Sequence, residues 1–207
     1  MQREPQRPPT NTPYNVTAVR ATSDFGDQFV QSIEACGVEY VGCKSTSPQF
    51  LEAVAAVTSQ ILSLGPEVNP ELQRSLIQNC YRYRALCPVS FGEDESAPEP
   101  RGIGSASVCD RIGQGVEDQP MEVLEHVLHH ITDVGMHYTF PAEWGLNDAS
   151  TLHGCMLEAI AAGLYDVTDY LEEIENEPEV LLRVELQEFG YWLITTAWYV
   201  AQLKQIS

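Results

Sequence analysis

Apolar residues recur at helical spacing through residues 49–64, where Phe50, Leu51, Val54, Val57, Ile61 and Leu64 would share one side. Ser47 is a good N-cap, Pro48 suits the first helical position, and Gly65-Pro66 ends the run. Just before it, Val38-Glu39-Tyr40-Val41-Gly42-Cys43 alternates and is rich in β-formers, which predicts a strand. Residues 25–35 carry a weaker helical pattern that Gly37 stops, and residues 72–83 predict a short helix running into a strand. Residues 121–134 are strongly helical, with Leu124, Val127, Leu128, Ile131 and Val134 as the core stripe, opened by Pro120 and closed by Gly135. A further helix is predicted over residues 148–164, where Ala159, Ala161, Ala162 and Gly163 permit close packing. Pro178 opens a last helix to about residue 203, whose Phe189, Trp192 and Trp198 belong in a core.

The connections are as informative as the elements. Residues 1–13 hold four prolines and almost nothing apolar, so the chain opens as an extended or disordered lead-in. Residues 87–115 are rich in Pro, Gly and acidic side chains. That is long for a structureless connection and predicts a functional or disulfide-pinned loop. Residues 138–147 read as an aromatic loop. The order gives an α+β fold with a small N-terminal sheet and helices, then a helical half. Residues 1–22 form the extended segment and residues 23–207 a single domain.

The candidate chemistry lies in the helix over residues 121–134. All five histidines fall between His126 and His153, three of them in Glu125-His126-Val127-Leu128-His129-His130. Residues four apart share a helix face, so Glu125 pairs with His129 and His126 with His130. On the wheel, Glu125, His129, Thr132 and Met136 flank the core stripe on one side. His126, His130 and Asp133 flank it on the other, with His137 in line if the helix persists. Two such ligands one turn apart are the usual way a helix offers a metal half its coordination, and a third must come from elsewhere. Either pair serves; the alternative use of these side chains is a solvated or hydrogen-bonded helix flank.

Net charge narrows the partners. With 11 basic residues against 30 acidic ones, the chain carries −19, which argues against nucleic acid and against an anionic membrane surface. A hydrophobic share of 43% suffices for a packed core, yet no apolar run reaches the length of a membrane span. Six cysteines without a Cys-x-x-Cys favour disulfides and an oxidising, extracellular setting, with six buried free thiols as the alternative. Asn15-Val16-Thr17 is a glycosylation sequon. No Gly-x-Ser-x-Gly elbow is present, and Cys155 beside His153 fits half of a disulfide next to a loop histidine better than a catalytic dyad. The acidic run Glu172, Glu173, Glu175, Glu177 and Glu179 lacks EF-hand spacing and reads as a solvated loop.

Several segments, in order, resemble the zincin-like metallopeptidases of the anthrax lethal factor type. Cys36-Gly37-Val38-Glu39-Tyr40-Val41 and Phe50-Leu51-Glu52-Ala53-Val54 are similar to that family's opening strand and helix. Arg101-Gly102-Ile103-Gly104 is similar to its Arg-Gly-Leu-Gly turn. Residues 123–132 stand in the place of its active helix, residues 159–170 resemble the stretch before its third ligand, and Glu188-Phe189-Gly190-Tyr191-Trp192 resembles its Glu-Tyr-Phe-Ala-Glu. The resemblance covers roughly residues 30–200. It implies a zincin-like fold and one divalent metal, zinc first, with manganese or iron favoured by harder ligands. Laying His129 on the family's second metal histidine puts Glu125 at the first and His126 at the general base, with Glu188 closing the site. The family's His-Glu-x-x-His is thus Glu-His-x-x-His here. A shifted register makes His126 and His130 the ligands and leaves Val127 where the base belongs. The resemblance implies a secreted, peptidase-like hydrolase using a metal-bound water, or a catalytically inactive relative that binds a metal or a protein partner. A disulfide-held extracellular protein with no metal is the third reading.

Overall fold

The computed structural model describes residues 4–92, 111–167 and 178–206, with side chains to residue 199 in the last stretch. Two compact units divide the chain, residues 1–139 and 140–207.

The first unit is built on a five-stranded mixed sheet in the order β1-β2-β3-β4-β5, comprising Arg20–Ala21, Phe29–Ala35, Val38–Cys43, Ala85–Phe91 and Ile112–Gln114. β1, β2 and β3 pair antiparallel, whereas β3, β4 and β5 run parallel. A parallel neighbour demands a crossover, and α1 (Pro48–Ile61) with α2 (Pro70–Arg82) supplies it between β3 and β4. Both helices start as local chemistry dictates. Ser47 Oγ accepts from Phe50 N at 3.1 Å, Asn69 Oδ1 accepts from Glu71 N and Leu72 N, and each cap is followed by proline.

Alternation along β3 serves both faces of the sheet. Tyr40 meets α1, its hydroxyl 2.6 Å from that of Thr58, while Val41 packs with Phe25, Phe29 and Leu86. Glu39 is buried, and its carboxylate takes Arg7 Nη2 at 2.5 Å and Arg20 Nη2 at 3.0 Å, with Arg84 Nε at 3.9 Å. Arg7 also bonds Glu34 at 2.8 Å, and the Gln6 and Arg7 amides donate to the Arg82 carbonyl. The proline-rich lead-in is therefore extended and laid along the first unit.

The structure departs from the sequence pattern at three places in this unit. Residues 29–35 form a strand, not part of a helix. Residues 85–91 form β4, of which residues 87–91 were expected in a loop. Pro88 lies within it, tolerated because β5 begins to pair only at Val89. Gly135 does not end the histidine-bearing helix. α3 (Gln119–His130) passes into a π-helical turn, Ile131–Met136, and on into α4 (His137–Thr139). The glycine serves packing, since a Cβ there would lie 2.8 Å from Cys80 Sγ and 2.9 Å from Leu76 Cδ2 on α2.

In the second unit, α5 (Pro141–Trp144) occupies part of the expected aromatic loop, followed by α6 (Thr151–Ala161) and α7 (Pro178–Ile206). Leu146, Leu152, Met156, Leu186 and Phe189 form its core, with Tyr165 packed against it. Trp192 and Trp198 are not core residues: 53% and 41% of their surfaces are exposed. No described helix is long and apolar enough to cross a membrane.

Candidate metal centre

α3 starts from a tight approach after β5. Gly115 (φ 83°) and Asp118 (φ 49°) turn the chain, and Pro120 falls in the first helical turn. Glu122 then ties helix to strand: one carboxylate oxygen accepts from Gly113 N at 2.9 Å, and the other lies 3.3 Å from His126 Nε2 one turn on. The His126 ring thus faces a carboxylate of its own helix and meets the His129 ring edge-on, centroids 5.7 Å apart. His130 is buried, and its Nδ1 is 2.7 Å from the His126 carbonyl. Donation there leaves Nε2 as that ring's lone-pair nitrogen.

His129 is buried, whereas Glu125 is half-buried. At the end of α3 the Thr132 hydroxyl donates to the His129 carbonyl at 3.0 Å, just where the backbone winds into the π-helical turn. Such turns recur beside functional sites. Further on, His137 sits edge-on to Tyr138, which stacks on Tyr83 with centroids 3.8 Å apart.

A Glu-His-Glu group, Glu125, His129 and Glu188, could hold a metal ion. Each offers one ligand atom, and these atoms all lie within 4.8 Å of one another. The donor chemistry fits: two carboxylates brought together repel, and a divalent cation relieves that repulsion. Nitrogen with oxygen donors suits zinc, manganese and iron alike. Among the described residues, the alternative pair His126 and His130 gathers no third ligand of this kind. Arg101 to Gly104, Cys109, Tyr170 and the acidic run from Glu172 to Glu177 lie outside the described residues.

Two features went unread in the sequence. One is Glu122, whose signal was present as a carboxylate four residues before His126. The other is Glu185, also on α7, whose carboxyl is pushed up by burial and drawn back by His153. The disulfide framework is not formed at Cys36, Cys80 or Cys155, which are free thiols. Cys36 and Cys80 lie in the core as small apolar residues, and burial pushes their thiols up to about 11 and about 12.

Comparison of the chain with known protein families, with curated proteins and with solved structures finds no match.

Proposed function

We propose that this protein is a secreted, metal-dependent hydrolase of the zincin type, acting on a peptide or protein substrate. The observation that supports this most is the convergence of Glu125, His129 and Glu188, one imidazole and two carboxylates within reach of one cation. Zinc is the metal proposed; bound there, it would supply a Lewis acid and a water of lowered pKa. The chain's own contribution is threefold. Glu125 and His129, one turn apart on α3, fix two ligand directions, and Glu188 gives the third. His126 would hold or move a proton, with the Glu122 carboxylate 3.3 Å from its Nε2. Burial of His129 excludes bulk water from one side of the centre.

The test is metal analysis of the purified protein, followed by turnover of a peptide library with and without chelator. One equivalent of metal and chelator-sensitive cleavage are expected. A metal-free protein with no divalent-ion affinity would overturn the reading.

A second reading is favoured by one observation: His126 Nε2 is directed to Glu122 on its own helix. A base engaged in this way fits a catalytically inactive relative that keeps the metal and binds a partner. Metal binding without turnover of any peptide would select it. In the proposed extracellular setting, Asn15 of the sequon, which is exposed, would be open to glycosylation. Expression through a eukaryotic secretory route, with loss of added mass on glycosidase treatment, tests it.

A further inference from the structure

Residues 4–16 are held on the first unit by specific polar contacts more than by apolar burial. Among them only Pro13 is buried. Arg7 is the anchor. Its guanidinium bonds Glu34 at 2.8 Å and Glu39 at 2.5 Å, and lies over the Tyr81 ring, 4.9 Å from its centroid. Two carboxylates and an aromatic face together select arginine over lysine, because a planar fork can bond both acids and stack on the ring at once. Glu39 is only 2% exposed, so its end of the clamp is set into the sheet.

The main chain of the segment is recognised as well. The Gln6 and Arg7 amides donate to the Arg82 carbonyl at 2.7 and 3.2 Å. Gln78 Oε1 accepts from Thr10 N at 3.0 Å while its Nε2 donates to the Thr10 carbonyl, so one side-chain amide satisfies both main-chain groups of one residue. Further on, Val16 bridges Ala35 antiparallel, and Cys36 N donates to the Asn15 carbonyl at 2.9 Å. An arginine clamp, main-chain bonds that ignore sequence, and strand addition at a sheet edge are the means by which proteins hold extended peptides. Pro5, Pro8 and Pro9 reduce the entropy lost on docking, since each fixes a backbone torsion in advance.

We propose that the surface formed by the last turns of α2 with β2 and β3 is a binding site for an extended, arginine-bearing peptide of a partner protein, and that residues 4–13 are its resident occupant. Gln78 and Tyr81 on α2, Glu34 on β2 and Glu39 on β3 form the site. With so little apolar surface buried, the resident segment opens at far smaller cost than the core. Its advantage over an outside peptide is effective concentration. The net charge of −19 draws a cationic segment toward the chain. The site requires no metal.

The test uses the full chain carrying Arg7→Ala and Thr10→Pro, which removes the guanidinium and the amide that donates to Gln78. A fluorescent peptide of residues 4–13 is titrated in and followed by anisotropy, with circular dichroism checking the fold. Saturable binding is expected. Binding to wild type should be at least about tenfold weaker, because its own segment competes at an effective concentration of about 1 mM. A peptide with Arg7→Ala should bind at least about tenfold more weakly than the original, and one with Arg7→Lys should also bind more weakly. Glu34→Gln added to the protein should weaken the original peptide in the same way. If the double variant folds poorly, Arg7→Ala alone carries the same comparisons. Absence of saturable binding to the variant chain would make residues 4–13 a fixed strap and overturn the proposal. Equal binding of the arginine and lysine peptides would reduce the contact to charge attraction and overturn it too.

Discussion

Replacing Gly135 by alanine sets two effects of opposite sign against each other. In an ordinary helix interior the change stabilises, by about 1 kcal/mol, because glycine has more backbone entropy to lose. Here the added methyl would lie 2.8 Å from Cys80 Sγ, 2.9 Å from Leu76 Cδ2 and 3.1 Å from Leu76 Cγ. Contacts this short require movement, and neither neighbour can give way easily: Cys80 is fully buried and Leu76 is 7% exposed. Overpacking a tight core costs about 1–3 kcal/mol, and three close contacts place this site near the top of that range. The net expectation is a loss of about 2 kcal/mol, or a melting temperature lower by about 4–8 °C for a chain of this size. Thermal unfolding by circular dichroism measures it. Leu76→Ala should cost about 2–3 kcal/mol alone by opening a cavity. Combined with Gly135→Ala it should cost at least about 1 kcal/mol less than the sum, because the methyl then has room. A melting temperature that rises in Gly135→Ala, or strict additivity in the double variant, would refute the packing role given to this glycine.

The remaining predictions concern the metal and buried charge. His129→Ala should abolish divalent-metal binding measured by calorimetry, whereas His130→Ala should keep most of it; the reverse order would favour the His126 and His130 register. Saturating metal at a hundredfold excess over Kd should stabilise wild type by about 2.7 kcal/mol and leave His129→Ala unmoved. Glu39→Ala, which removes the buried carboxylate shared by Arg7, Arg20 and Arg84 while Arg7 keeps Glu34, should cost about 3 kcal/mol in urea unfolding. Exposed Arg20 alone accounts for little of this, so Arg20→Ala should cost under about 1 kcal/mol. Glu185 is raised above its unfolded value, so its burial opposes folding increasingly as pH climbs through and above the normal carboxylate range. Glu185→Gln should therefore match wild-type stability near pH 3 and equal or exceed it at pH 7; a variant less stable at pH 7 alone would contradict the sign.

What could be read from the sequence was what local chemistry decides. Ser47-Pro48 announced α1, and the alternation of residues 38–43 announced β3, because caps and side-chain period act within a few residues. The strand at residues 29–35 was misread for a definable reason. Phe25, Phe29 and Ile33 are spaced by four, which satisfies a helical face and a period of two equally. β4 was hidden by Pro88, whose usual meaning is the end of a strand. Gly135 looked like a helix end because its partners, Cys80 and Leu76, lie on another element and leave no trace in its neighbourhood. The pairing of Glu125 with His129 follows from helix geometry alone. Glu188 could be nominated only through the resemblance, since no spacing rule reaches so far along the chain. The exposure of Trp192 and Trp198 was missed because composition says that an aromatic helix is buried without saying where its burial stops.

The sheet of the first unit runs out at both sides into its shortest strands, β1 with two residues and β5 with three among those described. A strand edge templates the addition of another chain in proportion to the length of unpaired backbone it offers. Edges this short give an incoming strand room for only a bond or two, so ribbon-like growth from this sheet is disfavoured even at high concentration. The protein's large excess of negative charge opposes like-to-like approach in the same direction. Raising the salt, which screens that charge, should therefore lower the chain's solubility limit before its β-structure does.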